Sequence, residues 1–235
     1  MMGYIIENTF IGVIIVNINK NIISFAETAE IAANSEKTVL LVRHSYRESL
    51  VNGNHDPGLT AAGWEYAVEC GKFLKGMKNV CFGASARKRT METVKGLISG
   101  AGFEADELFP CPVLHDTAMF TPPENLGIAI ENGTIPELLK SYFTTGTAPG
   151  MRHIKEFAPA LLDYLTGDFP CPNVLLSTHD IVVVALLSYL QVYEFKQDDW
   201  CGYIQGAFLY QQNGNWNIAY CVPDKLNRPL TKLFV

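Results

Sequence analysis

Long apolar runs, a basic surface and a metal-binding cysteine pattern are all missing from this chain of 235 residues. A membrane span needs about 20 consecutive apolar residues. The nearest approach, Phe10 to Val16, is cut short by Asn17, Asn19 and Lys20. No lysine or arginine precedes that run and Glu7 does, so neither a secretory signal nor a membrane span is expected, and no membrane partner is expected. With a net charge of −6, the chain offers no general surface for nucleic acid or other polyanions. Any anion site must then be a local cluster of arginines. The six cysteines form no C-x-x-C pair and no metal-like spacing, so a metal site is not expected. They read as buried thiols of a reducing, cytoplasmic compartment, with a disulfide-bearing exported chain as the alternative. No repeat and no low-complexity stretch appears.

What is present is a globular composition, 48% hydrophobic and 18% charged, enough for one sizeable domain. Two short apolar runs stand out. Thr38-Val39-Leu40-Leu41-Val42 leads into Arg43-His44, and Asn173-Val174-Leu175-Leu176-Ser177-Thr178 leads into His179. Both read as buried central strands. Neighbouring parallel strands would deliver both histidines at their carboxyl edge, where open α/β sheets form binding crevices.

From Thr38 onward strand and helix signals alternate, which predicts an α/β fold. The expected form is a three-layer α/β/α sandwich around a mostly parallel central sheet. Thr60 is an N-cap for a helix to about Lys75, and Asn79 to Ser85 reads as a strand. A helix follows from about Lys88 to Ile98, closed by glycines. Glu107 to Leu114, with two prolines, is expected at a sheet edge. Residues of about 115–150 are Pro-, Gly- and Thr-rich with a helix near Ile135–Tyr142, and read as an insertion over the pocket. Helices over Met151–Leu165 and Ile181–Val192 and a hairpin through Gln211–Asn215 complete the domain, 37–235. Residues 1–36 read as an N-terminal extension: a strand, an Asn-rich turn, a second strand, then a short helix.

Arginine grips phosphate through a planar fork at any working pH, and histidine can act as nucleophile, base or cation near neutrality. Arginines around two imidazoles make a dianion cradle and favour the neutral imidazole that attacks.

Leu41-Val42-Arg43-His44-Ser45 resembles the R-H-G signature of the histidine phosphatase (phosphoglycerate mutase-like) superfamily. Asp56 to Gly63 resembles its L-T-x-x-G segment, Ser85 to Thr93 its S-x-x-x-R-A-x-Q-T segment, and Ser177-Thr178-His179-Asp180 its S-H-G or H-D segment. The matches come in the family's order and span about Thr38 to Tyr220. The resemblance implies a phosphoglycerate mutase-like fold. It implies His44 as the nucleophile that becomes phosphohistidine, with Arg43, Arg89 and His179 holding the phosphoryl oxygens. Water then attacks the phosphohistidine, so neither metal nor other cofactor is required. Phosphoryl transfer of this kind is positioning plus electrostatic stabilisation.

Ser45 stands where the family has glycine, beside the nucleophile and against the substrate, and Glu92 replaces a common glutamine. Arg47 resembles the second arginine of the acid phosphatase branch and is a substrate-binding candidate. Two acids compete to protonate the leaving oxygen: Asp180, next to His179, is preferred, and Asp116 is the alternative. Arg87 and His55 read as solvated, while His115 and His153 could reach substrate from the insertion.

The expected function is a metal-independent phosphomonoesterase acting on a small phosphorylated substrate or a phosphoprotein. The alternatives are a family member that only binds a phosphorylated ligand, as Ser45 would suggest, and a protein-phosphohistidine phosphatase.

Overall fold

The computed structural model describes residues 16–49, 56–104, 107–196 and 198–223. His55, residues 224–235 and the Phe10–Val16 run apart from Val16 lie outside them.

The strands are β1 (Val16–Ser24), β2 (Lys37–Arg43), β3 (Val80–Ala84), β4 (Phe109–Pro110), β5 (Asn173–Thr178), β6 (Gly206–Gln212) and β7 (Asn215–Val222). The α-helices are α1 (Phe25–Ala32), α2 (Ala61–Gly71), α3 (Lys88–Ala101), α4 (Asn125–Glu131), α5 (Ile135–Thr145), α6 (Ile154–Leu165) and α7 (Asp180–Tyr189). One seven-stranded sheet has the order β1-β7-β6-β2-β5-β3-β4. The β2–β5, β3–β5, β3–β4 and β1–β7 pairs are parallel, and only β6 runs against its neighbours. The fold is therefore the three-layer, mostly parallel α/β/α sandwich.

Alternation along the central strands decides the layers. Val39, Leu41, Val174 and Leu176 point to the face covered by α6, α7 and the insertion. Leu40, Val42 and Leu175 point to the face covered by α1, α2 and α3. Helix α7 is buried on every side from Ile181 to Leu187, which explains its unbroken apolar sequence. Asn213 and Gly214, both at positive φ, make the two-residue turn between β6 and β7.

Three readings change. The strand–turn–strand expected in the extension is one strand, β1, with a register irregularity between Asn19 and Ile22. It pairs with β7 at the edge of the main sheet, and α1 behind it enters the same core, with Phe25 fully buried. Sequence could not show this, because the partner strand lies at the far end of the chain. The six-thiol reading is corrected at one pair, since Cys81 and Cys171 form a disulfide. Cys81 is on β3 and Cys171 lies two residues before the neighbouring β5, with Val80 opposite Asn173, so both cysteines lie at the amino edge of the sheet. Cys70, Cys111, Cys201 and Cys221 are buried thiols. The edge strand expected over Glu107–Leu114 contracts to Phe109–Pro110, because Pro110 and Pro112 cannot extend a ladder. Among the described residues no helix is long and apolar enough to cross a membrane.

Candidate active site

Arg43 on β2 lies opposite Thr178 on β5, so the next residues, His44 and His179, leave adjacent strands at one level of the carboxyl edge. The His44 amide donates to the Thr178 carbonyl at 2.9 Å and locks that level. The two imidazoles meet edge to face, with centroids 5.6 Å apart. Beside them β3 ends at Ala84, and α3 begins two residues after Ala86, bringing Arg89 to the same edge. The turns after β4 bring Asp116. Arg43, His44, Arg89, Asp116 and His179 are each no more than 8% exposed.

His44 Nδ1 lies 2.7 Å from the Ser45 carbonyl, which can only accept. In the neutral ring the proton therefore sits on Nδ1, and Nε2 carries the free lone pair. Burial, then the charges of Arg43, His179 and Arg89, push its pKa well below the ordinary value. His44 is thus neutral at neutral pH. His179 accepts from Arg89 at Nδ1 (3.2 Å), so its Nε2 donates to Ser85 Oγ (3.0 Å). Burial drives its pKa down to about 3.

Arg43 NH1 donates to the Cys201 carbonyl at 2.6 Å, and NH2 pairs with Asp180 at 3.2 Å. Arg89 NH2 donates to Asp116 at 3.0 Å, and its NH1 lies 3.6 Å from Asp56. The Nε atoms of both arginines are buried without an acceptor. Leaving a buried donor unmade is costly. Two such donors beside a neutral imidazole fit an anion with several acceptor oxygens.

The two candidate acids differ in their surroundings. Asp116 sits among Arg87, Arg89 and His115, and its Oδ2 is 3.9 Å from His179 Nδ1. Burial acts to raise its pKa, but the His115 contact, His179 and the two arginines outweigh it and hold the carboxyl well below the usual range. Asp180 is the first residue of α7, is ion-paired with Arg43 and accepts from Trp200 and its neighbour's amide. Burial again acts to raise the pKa, and these partners lower it.

Ser45 is fully buried. Its hydroxyl donates to the Gly63 carbonyl at 2.7 Å and its amide to Thr93 Oγ1 at 2.9 Å. That hydroxyl ties the loop after β2 to the first turn of α2. Positive φ is confined to other residues, so no glycine is needed at this position. Gly63 is the residue that must be small, because a Cβ there would lie 2.1 Å from the Tyr46 carbonyl. Glu92 accepts the Leu59 amide at 2.6 Å, a bond that its charge strengthens. Arg47 lies outside the inner cluster. It donates to its neighbour's carbonyl and acts on Arg89 through its charge.

The sequence reading missed Arg87, which bonds Asp116 through Nε (3.3 Å) and NH2 (3.2 Å). Its signal was present two residues before Arg89. It also missed Tyr203, whose ring lies 4.3 Å from Arg43 Cζ and 5.9 Å from the His44 ring centroid. Tyr203 comes from the loop before β6 and carries no local motif. His153 caps α6, its Nδ1 accepting the Lys155 amide at 3.0 Å.

The sequence profile of the histidine phosphatase superfamily (branch 1) matches residues 39–121. Solved structures with similar folds include phosphoglycerate mutase from Bacillus anthracis str. Sterne. It is 18% identical, with 83% of this chain and 94% of that chain covered and a TM-score of 0.53. Mycobacterial glucosyl-3-phosphoglycerate phosphatase, complexed with VO3, is 14% identical over 80% of this chain and 100% of that chain, at 0.54. A phosphoserine phosphatase variant from Entamoeba histolytica, in complex with phosphoserine, is 16% identical over 78% and 95%, at 0.52. No curated protein matches the sequence. Profile, ordered motifs and fold agree in their likeness to the histidine phosphatase superfamily.

Proposed function

We propose that this protein hydrolyses phosphate monoesters, without a metal, through phosphorylated His44. The observation that carries the reading is the neutral His44 imidazole, its Nε2 lone pair free, beside two arginines whose buried Nε donors lack acceptors. A phosphoryl group supplies the missing oxygens. Nε2 attacks phosphorus, the N–P bond forms and the P–O bond to the leaving group breaks. Arg43 and Arg89 stabilise charge on the equatorial oxygens throughout. Asp116, in the cluster with Arg89 and His179, is the acid we assign to the leaving oxygen. It must be protonated to serve. A dianion placed between Arg89 and Asp116 raises that pKa by replacing one attraction with a repulsion. Water then attacks phosphohistidine, gives its proton back to Asp116 and releases phosphate.

Proteins of this fold from mycobacteria and Entamoeba histolytica carry phosphatase names, and we extend that reaction class to this chain. A small phosphorylated substrate suits a site this enclosed better than a folded phosphoprotein. The binding-only reading loses its motive, since Ser45 is accommodated by a hydrogen bond to Gly63. The Cys81–Cys171 disulfide favours an oxidising compartment over the cytoplasm.

The test is turnover of radiolabelled phosphate ester with chelator present, followed by a denaturing quench at alkaline pH. Label on the wild-type chain, absent from His44→Ala along with activity, is the expected result. Turnover without label on His44, or activity surviving in His44→Ala, overturns the mechanism.

A further inference from the structure

Asp180 stands next to His179, where the acid phosphatase branch would make it the proton donor. Its carboxylate is committed to the protein instead. Oδ1 accepts the Ile181 amide at 2.9 Å. Oδ2 accepts the Trp200 indole N–H at 3.1 Å and pairs with Arg43 NH2 at 3.2 Å. The other terminal nitrogen of Arg43 donates to the Cys201 carbonyl at 2.6 Å, and the Tyr203 ring lies 4.3 Å from the guanidinium carbon. An acceptor at each terminal nitrogen and a ring against the face leave a planar guanidinium one orientation. Nε is buried and without an acceptor, and each terminal nitrogen keeps a second N–H.

We propose that Asp180, itself held by the Trp200 indole, is a positioning residue that aims Arg43 at the phosphoryl group, and that the leaving-group proton does not come from it. This rests on the phosphatase reading of the site. A carboxylate in a buried ion pair cannot take up a proton without leaving Arg43 uncompensated. Trp200 is in turn fixed by aromatic packing. Its ring meets Phe143 of α5 at 5.3 Å and Phe195 at 6.1 Å, and the residue is only 4% exposed. Helix α5 thereby buttresses the arginine through Trp200. Backbone bonds pin the same loop, with the Arg43 amide donating to Gln205 and the Ile204 amide to the Arg43 carbonyl.

The test compares Asp180→Asn, Trp200→Phe and Asp116→Asn on a nitrophenyl phosphate, whose leaving group needs no proton, and on an alkyl phosphate, whose leaving group does. Binding of inorganic phosphate is measured separately by calorimetry. Asp180→Asn is expected to lose about 10²-fold in turnover on both esters alike, the scale of a misplaced catalytic group. Its phosphate affinity should fall about tenfold, the worth of one charge-assisted hydrogen bond. Trp200→Phe, which leaves the carboxylate in place, should show the same pattern in smaller measure. Asp116→Asn should lose turnover mainly on the alkyl ester. A loss in Asp180→Asn confined to the alkyl ester, with phosphate affinity intact, makes Asp180 the acid and overturns the proposal. So does the absence of any effect in either clamp variant. If Asp180→Asn fails to fold by circular dichroism, Trp200→Phe decides. If the wild-type protein turns over neither ester, the phosphatase reading fails, while the phosphate titrations still report on the clamp.

Discussion

The imidazole of His44 meets that of His179 edge to face at 5.6 Å, and Arg89 donates a hydrogen bond to the second ring. Both rings are buried and neutral, which makes the site a source of acid sensitivity. In the folded protein both pKa values lie below the ordinary 6.5, that of His179 at about 3. The unfolded chain therefore binds more protons below pH about 6.5. Stability is full above that pH and is lost as pH falls toward 3, by up to about 1.4 kcal/mol per pH unit for each histidine. The carboxylates with lowered pKa, Asp116 and Asp180, add their loss only below about pH 4. Thermal unfolding followed from pH 7 to 4.5 should show this fall, and His179→Asn should flatten it.

Arg89 supplies a buried donor without an acceptor and also fixes Asp116 and His179. Arg89→Ala should cost about 10²- to 10³-fold in turnover, as expected for a group that stabilises transition-state charge. Arg89→Lys should recover little, because an ammonium cannot reproduce the fork. Steady-state kinetics with a phosphate ester checks both.

Arg87 bonds Asp116 Oδ1 through Nε and NH2. Removing that charge weakens the ionised form, so Arg87→Ala should raise the apparent pKa of the acid. The limb of kcat that falls as Asp116 ionises in the substrate complex should move to higher pH. A pH profile on an alkyl phosphate reads the shift, and an unmoved limb would mean that Asp116 is not the titrating acid.

Cys81 and Cys171 close a loop with a sequence separation of 90 at the sheet edge opposite His44. Reduction, or Cys81→Ser with Cys171→Ser, should lower stability by about 2–4 kcal/mol in denaturant titrations. Turnover of the folded protein should be unchanged, because the carboxyl-edge geometry does not depend on that link.

Within the sequence, features set by neighbours along the chain were legible. Strands β2 and β5 announced themselves as apolar runs, and the histidines behind them were visible because a strand places its end residue at a sheet edge. The turn at Asn213-Gly214 and the cap at Thr60 follow from the same short-range chemistry. The role of Ser45 was not legible, because its partner, the Gly63 carbonyl, belongs to another element.

The sequence alone indicated the sheet's parallel centre and the order of the motifs, which rest on periodicity and residue chemistry and are local. The grouping of His44, Arg43, Arg89 and His179 came from the resemblance those motifs carry. Only the tertiary structure decided where β1 pairs, which two cysteines join, and how the two acids divide. Asp116 is gathered in by Arg87 and Arg89, while Asp180 is taken by Trp200 and Arg43. A carboxylate's role depends on the donors that surround it, and here those donors come from segments far apart in the chain.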